Sequence, residues 1–151
     1  MKTSILLLLV VAITACQQPP AAPDFEIPSL TKTFINTHNG YSEAVVVQTG
    51  NLKTIYVSGQ ISEADTFEAQ MREVLTNMKT TLQASGATFK DVVKMNTYIV
   101  DYSPELLPAF RKVRKEILGD TDMPASTLVG VAALGKESWK IEIEAVAVVQ
   151  E

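Results

Sequence analysis

The spacing of hydrophobic positions changes several times along this chain, and each change marks an element. Lys32 to Thr37, Ala44 to Thr49 and Lys53 to Ser58 (KTIYVS) are rich in β-branched and aromatic residues. Such residues fit a pleated, half-buried surface, so all three segments are predicted strands. Thr49-Gly50-Asn51 supplies a turn between the second and the third. The period then lengthens. Phe67, Met71, Val74, Leu75, Met78 and Leu82 fall on one stripe of a 3.6-residue helix. Asp65, with Glu68 three residues on, predicts a capping box at its start. Ser85-Gly86 predicts its end, because glycine accepts the left-handed conformation found there.

Val92 to Val100 (VVKMNTYIV) is the next predicted strand. Ser103 is the expected cap of a second helix, with Pro104 at its first position, where a missing N–H costs nothing. Leu106, Phe110, Val113 and Ile117 form its apolar stripe, and Gly119 ends it. Pro108 falls inside this helix and is expected to bend its first turn. Ser126 to Ala133 and Lys140 to Val149 complete the strands. Strands divided by two amphipathic helices predict an α/β chain of the α+β kind, a mixed sheet with two helices on one face.

The first residues follow another logic. Lys2 is followed by an apolar run, Ile5 to Ile13, and then by Thr14-Ala15-Cys16. A positive start, a short apolar stretch and small residues before a cut describe a secretory signal over 1–15. The run falls short of the roughly 20 apolar residues that span a bilayer. Ile13-Thr14-Ala15-Cys16 resembles the bacterial lipobox, which implies lipidation at Cys16, the only cysteine of the chain. Gln17 rather than Asp after the cysteine, in a Gram-negative host, points to the outer membrane, with a periplasmic or outer-membrane location expected. Pro19, Pro20, Pro23 and Pro28 then make 16–30 an extended tether. The expected protein is exported and lipid-anchored, with one domain over 31–151.

Composition narrows the chemistry. The formal net charge is −4, and no basic cluster exceeds Arg111-Lys112 with Arg114-Lys115. Nucleic-acid binding normally needs a basic footprint, so it is not expected. His38 is the lone histidine and precedes the turn residues Asn39-Gly40. With no second histidine and no free thiol left after lipidation, no metal site is expected. No glycine-rich phosphate loop and no other cofactor signature occurs. The last strand is unusual. Its alternation puts Ile141, Ile143 and Ala145 on one face and Glu142, Glu144, Val146 and Val148 on the other. Valines on the second face suggest that it too is covered, by a partner subunit. A glutamate at the margin of such a surface is partly desolvated, as a general acid or base requires.

Five segments, in order and at consistent spacing, carry a family resemblance: Tyr41-Ser42-x-Ala44, Tyr56 to Ile61 (YVSGQI), Asp91 to Lys94 (DVVK), Pro124-Ala125-x-Thr127 and Lys140 to Ala145 (KIEIEA). Together they resemble the RidA (YjgF) family of imine/enamine deaminases. The resemblance implies a chorismate-mutase-like homotrimer with ligand clefts between subunits. It also implies Tyr41 and Glu142 as catalytic residues, with Gly59, Ser126 and Thr127 binding the substrate. The chain departs from the family at Ser126, where relatives carry the arginine that pairs with the carboxylate of 2-imino acids. Asn39-Gly40 replaces Gly-Pro before Tyr41, and Leu128 replaces a smaller residue. A hydroxyl cannot reproduce a bidentate guanidinium. Arg111 and Arg114 are expected to be solvated. Two functions follow. One is hydrolysis of a small imine or enamine that is not a carboxylated 2-imino acid. The other is a non-catalytic module holding a small molecule in the same cleft.

Overall fold

The computed structural model describes residues 28–119 and 122–151. The signal sequence, Cys16 and nearly all of the tether lie outside these residues. The chain runs β1 (Leu30–His38), β2 (Tyr41–Thr49), β3 (Leu52–Gln60), α1 (Phe67–Ala84), β4 (Val92–Val100), α2 (Leu107–Leu118), β5 (Ala125–Val131) and β6 (Ile141–Gln150). One six-stranded sheet has the order β1-β2-β3-β6-β4-β5. Every neighbouring pair is antiparallel except β4 and β5, which are parallel across the α2 connection. This is the mixed sheet that the alternation of elements predicted.

Two hairpins build one half of the sheet. Asn39 and Gly40 both have positive φ between β1 and β2, the two-residue arrangement whose twist matches the flanking strands. The last strand, β6, then threads between β3 and β4. It is the centre of the sheet, and its inward residues Ile141, Ile143, Ala145 and Ala147 are all buried.

The core lies between this face and the helices. Met71, Val74, Leu75, Met78 and Leu82 of α1 are buried, with Phe67 packed at the edge. Helix α2 contributes Phe110 and Val113. The end of α1 is a Schellman arrangement. The Ala87 N–H donates to the Leu82 carbonyl at 2.8 Å and that of Gly86 to Gln83 at 3.1 Å, with Gly86 at φ +80°.

Both helix starts differ from expectation. Thr66, not Asp65, caps α1, its hydroxyl accepting from the Ala69 N–H at 3.2 Å. Glu68 is thereby free to face outward, where it pairs with Arg72 (3.0 Å) and with Lys112 of α2 (3.2 Å). Before α2 the chain makes a separate 3₁₀ turn, Pro104–Leu106. Pro108 therefore stands in the first turn of α2, not five residues in, where its missing N–H has no partner to lose. Ser103 caps nothing; its hydroxyl bonds Glu105, whose carboxyl is held below its ordinary range as a result.

Candidate active site

Glu142 and Gly59 are brought together by an irregularity. Strands β3 and β6 pair regularly until Val57 opposite Ala145, then resume at Gln60 opposite Ile143. Ser58 and Gly59 form the bulge between, a device that re-aims side chains next to functional sites. Two bonds tie the bulge to β2: Ser58 Oγ donates to the Ser42 carbonyl at 2.6 Å and Gln60 Nε2 to Glu43 Oε2 at 3.0 Å. The Glu142 side chain lies across Gly59 so closely that a Cβ there would overlap Oε1 and come within 2.6 Å of Cδ. Gly59 is thus required for its lack of a side chain, not for an unusual backbone. Gly59→Ala is expected to leave the fold intact, because the carboxylate can swing aside. If Glu142 carries the chemistry of the cleft, activity should fall roughly 100-fold, because a misplaced group of that kind costs about that much. Equal losses of activity and melting temperature would contradict this.

Glu142 is half-buried and has no hydrogen-bond partner among the described residues. Burial, and secondarily the neighbouring Glu144 carboxylate, push its carboxyl above the ordinary range. Glu144 is treated differently. It accepts from Asn96 Nδ2 at 2.7 Å and from the Tyr98 hydroxyl at 3.2 Å. Desolvation and then Glu144 hold the Tyr98 phenol protonated to higher pH, as a donor must be. The strand therefore carries one tethered carboxylate and one free, desolvated one, and the free one meets the bulge.

Tyr41 opens β2 and lines a cleft of about 340 Å³ together with Gly59, Gln60, His38 and Glu43. It is 48% exposed. His38 meets its ring edge-on at 4.7 Å and bonds Glu43 Oε1 at 2.8 Å. The turn histidine is thus part of the cleft wall. Asn36, also in the wall, holds a positive φ of 48° inside β1, a strained conformation of the kind that clusters at functional sites.

Ser126 and Thr127 make separate contacts. They occupy adjacent positions on β5 and point to opposite faces. Thr127 Oγ1 accepts from Lys94 Nζ at 2.8 Å on the face of Glu144. Ser126 turns to the helices, where its Oγ accepts from Arg114 Nη1 at 3.0 Å. Nor is Arg114 solvated, as expected from the sequence. It is half-buried between α2 and β5, desolvation lowers its pKa, and its Nε is buried with no partner. The sequence held a signal for this: Arg114 lies four residues after Phe110 and three before Ile117, on the apolar stripe itself.

The residues fall into two groups at different places on the sheet. Tyr41 is on β2 and Ser126 on β5, four strand positions apart. At ~4.8 Å per strand that is about 19 Å, beyond the reach of one small ligand.

A family model described as Endoribonuclease L-PSP matches residues 31–149. The chain belongs to this family, the YjgF/RidA proteins. A curated relative, the 2-iminobutanoate/2-iminopropanoate deaminase of Dermatophagoides farinae, is 39% identical over 118 residues, 73% of this chain and 86% of that protein. A YjgF/YER057c/UK114 family structure from Mycobacterium tuberculosis superposes with a TM-score of 0.67 at 29% identity, covering 79% of this chain and all of the other. RidA from an Antarctic Psychrobacter gives 0.63 at 30% identity, over 75% of this chain and 91% of that one. The fold read from the sequence is therefore that of the family.

Proposed function

We propose that this chain hydrolyses a small reactive imine or enamine, and that Glu142 handles the proton. The supporting observation is the Glu142 carboxyl: desolvated, free of hydrogen bonds and laid over Gly59 beside the Tyr41 cleft. Hydrolysis requires water to add to the imine carbon. The ionised carboxylate takes a proton from that water as the C–O bond forms and the C=N bond becomes single. The same group returns that proton to nitrogen, giving a carbinolamine; it then carries the hydroxyl proton to nitrogen as the C–N bond breaks, so that ammonia leaves and a carbonyl remains. A carboxyl poised above its ordinary range suits both halves of this exchange. The relative named for 2-iminobutanoate and 2-iminopropanoate supports the reaction class. The assay generates imines with an amino-acid oxidase and follows their loss; no acceleration over buffer for any imine would leave a binding module as the reading.

The active unit in this proposal is a homotrimer, with clefts between copies. One copy supplies Tyr41, Gly59 and Glu142, and the β5 edge of the next supplies Ser126. Site residues near opposite edges of one sheet suit a head-to-tail ring, in which unlike surfaces meet and close. No helix among the described residues is long and apolar enough to cross a membrane. Membrane attachment in this proposal rests on Cys16 and its lipobox alone. Mass spectrometry of the mature N-terminus should find acylated Cys16, and Cys16→Ser should move the protein off the membrane fraction or leave it uncleaved. A soluble wild-type protein with an unmodified N-terminus would sink the anchor and leave the catalytic proposal standing.

A further inference from the structure

The Tyr41 cleft, bounded by the β1–β2 hairpin, the end of β3 and helix α1, offers polar atoms of mainly one kind. Its charged member is Glu43. Oε1 accepts from His38 Nε2 at 2.8 Å and Oε2 from Gln60 Nε2 at 3.0 Å. Both donors are neutral. The Asn39 amide nitrogen donates to His38 Nδ1 at 3.3 Å, so the single proton of the ring sits on Nε2. No lysine or arginine lines the cleft among the described residues. The carboxylate is therefore oriented on both oxygens but keeps its whole negative charge. Neighbouring donors are committed elsewhere. Asn77 Nδ2 donates to the Ile61 carbonyl at 3.2 Å, Gln60 Nε2 also to the Ser58 carbonyl at 3.0 Å, and the Thr80 hydroxyl to the Thr76 carbonyl at 3.2 Å. Asn77 Oδ1 and Gln60 Oε1 accept no hydrogen bond among the described residues. The wall is thus rich in acceptors around one charge that only neutral donors meet.

We infer that the Tyr41 cleft binds a small primary ammonium, with the Glu43 carboxylate as its charge partner and Asn77 and Gln60 as further acceptors. An ammonium brings three donors and no acceptor, which is the complement of this wall. The half-exposed Tyr41 ring adds an aromatic surface, which attracts a cation. His38 and Asn39 act one step back, holding the carboxylate in place without neutralising it. The inference rests on the proposed deaminase reading for its place in catalysis. Gln60, which bonds Glu43, follows Gly59, over which Glu142 lies. A ligand with its ammonium at Glu43 would therefore place the other end of a short carbon chain near Glu142. The substrate class is then an imine that carries a second amino group and no carboxylate. Oxidation of one end of a short diamine is the class of reaction that supplies it.

Calorimetric titration of the purified full chain with butylammonium chloride tests this. Butan-1-ol, of the same chain length and uncharged, and butanoate, of opposite charge, are the reference probes. Wild type should bind butylammonium at least about tenfold more tightly than either, a difference of ~1.4 kcal/mol. Added salt should narrow that gap, since an open cleft is screened. Glu43→Gln keeps the acceptor for His38 but removes the charge, and should erase the preference. Should that variant fail to fold, His38→Lys decides. Its ammonium would pair with Glu43 internally at an exposed turn and abolish butylammonium binding. Binding unchanged in Glu43→Gln or His38→Lys, or no ammonium preference in wild type, overturns the site. Imine hydrolysis that persists under those results leaves the deaminase proposal standing. Butylammonium binding without hydrolysis of any imine would instead overturn the deaminase proposal and leave the ammonium site in place.

Discussion

Glu142→Gln should reduce imine hydrolysis by about 100-fold or more, the range that a positioned general acid–base residue supplies. The amide keeps the size of the side chain and its place over Gly59 but can neither accept nor return a proton. KM should change far less than kcat, since the role proposed for Glu142 is proton transfer and not substrate binding. The pH profile gives an independent readout. The wild-type acid limb should lie above the ordinary carboxylate range, because burial and Glu144 raise the Glu142 pKa. Stability moves in the opposite sense to activity. With its pKa raised above the ordinary carboxyl value, Glu142 binds its proton more tightly in the folded state than in the unfolded chain. Unfolding between those two values releases a proton, so stability falls as pH rises through that window. Glu142→Gln should therefore melt at the same temperature as wild type near pH 4 and higher at neutral pH. A variant both less active and less stable at pH 7 would mark Glu142 as a structural residue.

The part of this molecule that periodicity encodes was legible, and the part that depends on distant strands meeting was not. The α1 stripe from Met71 to Leu82 is buried as its spacing predicted, since a 3.6-residue period has one way to meet a sheet. The helix starts were misplaced because Asp65 and Thr66 are both competent caps and only the path of the chain chooses between them. The two faces of β6 followed from its alternation. Its insertion between β3 and β4 did not, because alternation identifies faces and says nothing of neighbours. The site divides in the same way. Glu142 stood out as a carboxylate on a strand face shared with valines. Its contact with Gly59 depends on a bulge in the β3–β6 register that no local pattern announces. The family resemblance puts Ser126 and Thr127 in one motif, although neighbours on a strand face opposite ways. Arg114 was discounted as a surface cation, although its place on the apolar stripe marked it as a residue that β5 would cover.

Val146→Lys should convert a trimer to monomers and abolish activity with it. On the face of the sheet away from the helices, the register aligns Phe34, Val45, Tyr56 and Val146 in one row across four strands. Phe34 is 60% and Tyr56 51% exposed in the single chain, a contiguous apolar patch of the kind that soluble monomers seldom leave wet. A lysine at the β6 end of that row would bring an unpaired ammonium into each contact of the ring. The effective penalty is several kcal/mol per buried ion, enough to dissociate an assembly at micromolar concentration. Sedimentation of wild type should give three times the monomer mass and that of Val146→Lys one, with helix and sheet content unchanged. Hydrolysis should disappear although Glu142, Gly59 and Tyr41 remain in place in each copy, because in the proposed trimer a neighbour's β5 edge completes the cleft. A Val146→Lys protein that stays trimeric would move the interface to another face. A monomer that keeps full activity would show that one copy holds the whole site, and the 19 Å (about four strand spacings) between Tyr41 and Ser126 would then confine catalysis to one of the two groups.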